Sequence, residues 1–194
     1  MKVKDTALYC IHTLLVSFIL LSQLSHARTE HSEHKHNVSL NSHVHGLSEI
    51  TVAIDGEILD IHFLSPAINL MGFEHKASNP KEFELVREAK DTLSNNQSIF
   101  TFVGAVCAPI KADINVDALI NSHEGKEAHG SHDDHSQVEA SYRYQCKDID
   151  DLSAISVDIF KHFIGIKKIK AMWINNFNQG VATLNSENIR INLD

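Results

Sequence analysis

Ile50, Val52 and Ile54 alternate with polar residues on one side of Asp55-Gly56, and Leu59, Ile61 and Phe63 do so on the other. Period-two alternation about such a dipeptide predicts a β-hairpin with a two-residue type I′ turn. Closing it at Asp55-Gly56 pairs Val52 with Leu59 and Ile50 with Ile61 on one face. The opposite face then carries Glu49, Thr51, Asp60 and His62, and the same parity carried backwards reaches His45 and His43. Asn79-Pro80 supplies an N-cap and a first-turn proline. Phe83, Val86, Ala89 and Leu93 then recur at helical spacing up to Asn95-Asn96, which predicts a helix lying on the sheet. Residues 99–106 and 110–116 read as strand interrupted around Gly104 and Pro109, and residues 138–146 alternate as the strand that returns. Leu152, Ile155, Ile159 and Phe163 form a second stripe at helical spacing; with Asp148 or Asp150 as cap and Gly165 as stop they predict a second helix. Residues 166–174, 181–184 and 189–193 read as strands, the first two separated by the turn Asn178-Gln179-Gly180. This order lacks the regular strand-helix alternation of a doubly wound parallel sheet. The expected fold is α+β, a largely antiparallel sheet with two helices and a His-rich loop, residues 121–136, inserted between two strands.

The first residues follow a different pattern. Lys2 and Lys4 precede an apolar run over residues 11–21, and Ser25-His26-Ala27 follows. A basic start, a short apolar stretch and a small-x-small site describe a signal peptide cleaved after Ala27. The run is well short of the roughly 20 residues a spanning helix needs. Cys10 lies ahead of it and leaves with the signal. The expected organisation is a signal over 1–27, a polar tail without periodicity over 28–42, and one domain over 43–194. No later segment is apolar enough to insert in a membrane.

Removing Lys2, Lys4 and Asp5 shifts the formal charge from −8 to −9. An acidic chain argues against nucleic acid and anionic membranes as partners, since both are bound through an excess of Lys and Arg. The two cysteines that remain, Cys107 and Cys146, form an even count in an exported chain and are expected to be disulfide-bonded, closing the base of the His-rich loop between them.

Fourteen histidines are several times ordinary usage, and they are clustered. Neutral imidazole offers zinc a nitrogen ligand at about 2.0–2.1 Å. The first cluster, His31, His34 and His36, lies in the tail. The second is His43-Val44-His45, whose i, i+2 spacing on a strand sets both rings on one side. The third contains His123, His129, His132 and His135 with Glu124, Glu127, Asp133 and Asp134. So many imidazoles and carboxylates in one short polar stretch have the composition of a metal-binding segment rather than of a merely solvated loop. A pH-sensing loop is the rival for it, because His titrates near pH 6.5. Glu74-His75 can complete the His43/His45 pair, as can Glu49 or His62 from the same hairpin face. His62 has the alternative of a hydrogen bond to Glu49 across the hairpin, and His162 reads as a solvated surface residue. Nothing argues for catalysis: there is no Gly-rich phosphate loop, no nucleophile elbow and no helical His-Glu-x-x-His. Asp148, Asp150 and Asp151 serve better as helix-start charges than as an acid/base pair.

His43-Val44-His45-Gly46, the hairpin, Ser65-Pro66-Ala67-Ile68-Asn69, Gly72-Phe73-Glu74-His75, Cys107, the His-rich loop, residues 142–146 and a final Val181-Ala182-Thr183-Leu184 strand resemble the ZrgA-like family. The resemblance covers residues 43–193. It implies a periplasmic protein, made under zinc limitation and linked to zinc uptake, and the expected function is that of a zinc-binding protein, not an enzyme, that supplies an ATP-driven zinc importer or that importer's solute-binding protein. It also implies that His45, Glu74 and His75 belong to characteristic motifs. The loop departs from the family's dense His-Asp or His-Glu runs by mixing in Gly, Ser and Lys. The expected ligands are His43, His45, Glu74, His75, His123, His129, His132 and His135. A small zinc hydrolase using His43, His45 and His75 is the rival from a different class, and nickel, cobalt or copper are the rival ions.

Overall fold

The computed structural model describes residues 44–120 and 136–193, all within one compact unit. The expected signal, the tail, His43 and the four histidines of the 121–136 stretch lie outside the described residues.

Leu47–Asp55 forms β1 and Ile58–Pro66 forms β2. A single turn of helix, Ile68–Met71 (α1), leads to the long helix Pro80–Ser94 (α2). Phe100–Val103 (β3), Val106–Asn115 (β4), the short helix Asp117–Ile120 (α3) and Gln137–Lys147 (β5) follow. The chain finishes with Ala154–Val157 (β6), Lys168–Ile174 (β7), Gln179–Leu184 (β8) and Arg190–Asn192 (β9). Six strands make one sheet in the order β4-β5-β2-β1-β7-β8, and three make a second in the order β3-β6-β9. All these pairings are antiparallel except β1 with β7. The α+β expectation and its largely antiparallel sheet agree with this arrangement.

Alternation decides the faces. Ile50 and Val52, Leu59, Ile61 and Phe63, Val138, Ala140, Tyr142 and Tyr144, and Ile169, Ala171 and Trp173 all point inward and are buried. The smaller sheet packs on this inner face through edge-to-face rings, Phe100 on Tyr142 at 5.2 Å and Phe102 on Tyr144 at 4.8 Å. Burial drives both tyrosine hydroxyls well above the ordinary phenol range. The Tyr142 hydroxyl donates to the Leu93 carbonyl at 3.0 Å and pins the C-terminal end of α2 to β5. Val86, Ala89 and Leu93 are the buried stripe of α2, as its spacing predicts, and Asn79 caps it by accepting from the Glu82 N–H at 3.1 Å.

The hairpin forms, but one residue further on. Asp55 faces Ile58, Ile54 faces Leu59 and Val52 faces Ile61, so the turn residues are Gly56 and Glu57. Gly56, at the first central position, has φ 56°, while Glu57 is not among the residues with positive φ. That is the pattern of a II′ turn rather than the expected I′ turn. The shift keeps the parity of both strands, so every side chain stays on its predicted face while Ile54 gains an apolar partner. The β7–β8 turn is likewise displaced: Asn175 closes it, its side chain accepting from the N–H of Phe177 and of Asn178.

The expected second helix is absent. Residues 149–151 and 158–161 are 3₁₀ turns, and between them Ala154–Val157 is the central strand of the small sheet, paired with β3 and β9. Leu152, Ile155, Ile159 and Phe163 are buried, but so are Ala154, Val157 and Phe160. A short segment buried on all sides, with β-branched Ile155 and Val157, satisfies a helical stripe by accident.

Cys107 and Cys146 are bonded and stand directly opposite each other in β4 and β5. They sit at the far end of that strand pair from residues 121–135, so the bridge does not close the base of the His-rich stretch as expected. It ties the edge strand β4, bulged at Pro109/Lys111, to the sheet.

Candidate metal centre

The histidine end of the sheet is built around one buried amide. Asn69, on α1, accepts from the Gly46 N–H at 2.7 Å and donates to the Leu47 carbonyl at 3.0 Å. Its Nδ2 also lies within hydrogen-bond reach of Ser48 Oγ and Ser65 Oγ, which bond to each other at 2.8 Å. Asn69, Ser48 and Ser65 are all buried. The network fixes the turn over residues 44–47, which carries His45. Gly165 is packed so tightly behind it that an added Cβ would lie 2.3 Å from the Asn69 carbonyl oxygen. Asn69→Ala leaves several buried partners unsatisfied, each worth about 1–3 kcal/mol. It is expected to lower the unfolding free energy by about 2–3 kcal/mol, as measured by urea denaturation.

From this turn His45 Nε2 lies 3.2 Å from Glu74 Oε1. The His45 side chain is 61% exposed and the Glu74 side chain 14%. The next residue makes a second His-carboxylate pair: His75 Nε2 is 3.9 Å from Glu82 Oε1. The His75 ring stacks on Phe73 at 5.0 Å, and its Nδ1 meets the Lys76 carbonyl at 2.9 Å. Glu82 occupies the third position of α2, and its Oε2 accepts from both the N–H and the hydroxyl of Ser78. These bonds, the backbone one foremost, hold the carboxyl below the usual glutamate range.

The structure therefore brings together His45 and Glu74, and places His75 beside them in sequence but turned to a different carboxylate. Among the described residues no three His, Cys, Asp or Glu side chains converge as a closed metal cluster. His62 is not part of this end. It faces Thr51 and Ser141 on the outer sheet face and lines a depression of about 590 Å³ with Asp60, Asp113 and Glu139. Leu64, not His62, stands opposite Glu49, so a directly facing His62–Glu49 pair does not form. His162 is exposed, 3.4 Å from the Ser98 carbonyl. Glu82 is the residue sequence reasoning missed. Its signal was present, an acidic residue three places after the N-cap Asn79, but that spacing reads as helix capping and nothing more.

Both flanks of the 121–135 segment are tied to the same short stretch. On the leading side, the Ala77 N–H donates to the Leu119 carbonyl at 2.9 Å. On the trailing side, the Ser136 N–H donates to the Glu74 carbonyl at 3.3 Å, and the Ser136 carbonyl accepts from Ala67 N–H at 2.9 Å. The chain thus leaves and re-enters the described fold beside Glu74, His75 and Ala77.

No match to a curated protein is found. A family model described as "ZrgA family zinc uptake protein" matches residues 42–193. That span takes in both sheets, the Asn69 network and both His-carboxylate pairs, and the chain belongs to this family of zinc uptake proteins.

Proposed function

We propose that this protein captures zinc in the periplasm and hands it to an ATP-driven zinc importer or that importer's soluble binding component, binding the ion without carrying out chemistry on it. The observation that carries the reading is the convergence at one end of the sheet. His45–Glu74 and His75–Glu82 are two-ligand pairs with exposed imidazoles, and both flanks of the segment containing His123, His129, His132 and His135 are anchored beside them. A closed four-ligand zinc site holds its ion as structure, whereas a pair leaves coordination positions through which the ion enters and leaves. In this reading His43, His45, Glu74 and His75 belong to the ordered site and the four histidines of the 121–135 segment collect further ions. Calorimetric titration of the purified protein with zinc, nickel and copper tests it: zinc is expected to bind most usefully at two classes of site, and a protein that takes up no zinc would refute the proposal.

Periplasmic location rests on the N-terminal pattern and on the disulfide, which suits an oxidising compartment. Among the described residues no helix is long and apolar enough to cross a membrane. Mass spectrometry of the protein recovered from cells is expected to show a chain beginning at Arg28 with Cys107 and Cys146 linked. A chain that retains residues 1–27 would contradict the proposed processing.

A further inference from the structure

We infer that Glu82 is a zinc ligand, paired with His75 Nε2, in addition to its place at the start of α2. The inference rests on the zinc-binding reading above and adds a ligand to it.

The argument begins with the ring. The Lys76 carbonyl can only accept, so His75 Nδ1, 2.9 Å away, must donate to it. A neutral His75 therefore carries its proton on Nδ1 and presents a lone pair at Nε2, the arrangement a metal ligand needs. The stack on Phe73 sets the ring plane. What Nε2 faces is a carboxylate oxygen, Glu82 Oε1, at 3.9 Å. An unprotonated ring nitrogen and a carboxylate oxygen this close repel unless a cation lies between them, and the distance is too long for a hydrogen bond. Zinc bound tetrahedrally at ordinary Zn–N and Zn–O lengths holds its N and O ligands about 3.4 Å apart. A closure of about half an ångström would make the pair a zinc seat.

The carboxylate is already oriented for this. Ser78 N–H and Oγ–H hold Oε2 at 2.8 and 2.9 Å, which leaves Oε1 as the oxygen 3.9 Å from the ring nitrogen. The Glu82 side chain is 20% exposed, against 61% for the His75 side chain it faces. A ligand whose rotamer is fixed before the ion arrives loses less freedom on binding. The capping bonds thus have a second consequence, the preorganisation of a ligand oxygen.

Glu82→Gln separates the two roles, because glutamine can still accept from Ser78 at the helix start but supplies a neutral, weaker ligand. Zinc titration of the purified E82Q protein is expected to show the tighter binding event weakened at least tenfold, with the urea midpoint close to that of the parent. Asn79→Ala, which removes the cap and leaves the carboxylate in place, should lower the urea midpoint more than it lowers zinc affinity. In ¹⁵N spectra of the imidazoles, zinc should shift His75 Nε2 in the parent and not in E82Q. Parent-like zinc affinity in E82Q overturns the inference, as does a His75 Nε2 that stays protonated at saturating zinc, which would make the contact an imidazolium-carboxylate pair. If His45→Ala and His75→Ala weaken zinc binding while E82Q does not, this inference alone fails. If none of the three changes zinc binding, the ordered site of the preceding section falls with it.

Discussion

Alanine at His43, His45 and His75 is expected to abolish the tighter of two zinc-binding events, whereas alanine at His123, His129, His132 and His135 lowers the number of ions bound and leaves the tighter event in place. The difference follows from preorganisation. The turn that carries His45 is held by two hydrogen bonds to the buried Asn69, through Gly46 and Leu47, and Glu74 is held within the fold through its backbone bond from Ser136. Ligands on such supports are aligned before zinc arrives, whereas ligands that the ion itself must order cost about 1–2 kcal/mol for each residue fixed. Removing even an outer-shell partner of a metal typically costs 10–100-fold in affinity, so loss of direct ligands should cost on the order of 100-fold or more. Both events should weaken in acid, because metal binding requires deprotonated ligands and releases protons. Calorimetry with each variant, at two pH values, checks all of this. If the four substitutions in the 121–135 segment remove every zinc-binding event, the ordered site is misplaced.

Loss of the disulfide should produce the largest stability effect of any single covalent change. Cys107 and Cys146 are separated by 39 positions, and closing a loop of that size stabilises by roughly 4 kcal/mol on the chain-entropy model. Cys107→Ser with Cys146→Ser is therefore expected to lower the unfolding free energy by about that amount, adjusted for two hydroxyls where Cys146 is wholly buried. Urea denaturation of parent and variant, with and without reductant, measures it. The tighter zinc event should survive, because the bridge lies at the opposite end of the β4–β5 pair from the Glu74–Ala77 stretch. Had the bridge closed the base of the His-rich stretch, zinc binding and disulfide formation would be coupled, so a large loss of zinc affinity on reduction would contradict the geometry.

Much of this was legible in the chain itself. Period-two alternation assigned the two faces of β1 and β2 correctly and marked β5 as a strand, because a side chain's face depends only on its own strand. Asn79-Pro80 and the Val86, Ala89, Leu93 stripe located the long helix, since capping and helical spacing are local properties. The cysteine count predicted the disulfide, and the Ser-Pro-Ala-Ile-Asn and Gly-Phe-Glu-His elements indicated the family.

Tertiary structure decided the rest, and for one reason: each remaining point depends on which distant segment lies alongside. Residues 152–163 carry a helical stripe, yet β3 and β9 supply hydrogen-bonding edges on both sides of 154–157, and a strand results. Hairpin parity was readable, but the turn slipped by one residue because both registers keep the same faces and only the cross-strand packing of Ile54 and Phe63 distinguishes them. The pairing of His45 with Glu74, the turn of His75 toward Glu82, and the tethering of residues 119 and 136 to the stretch between Glu74 and Ala77 join parts of the chain that no local pattern relates. Composition told where imidazoles are abundant; the packing around Asn69 set His45 to meet Glu74, and the contacts of His75 with Phe73 and the Lys76 carbonyl set it to meet Glu82.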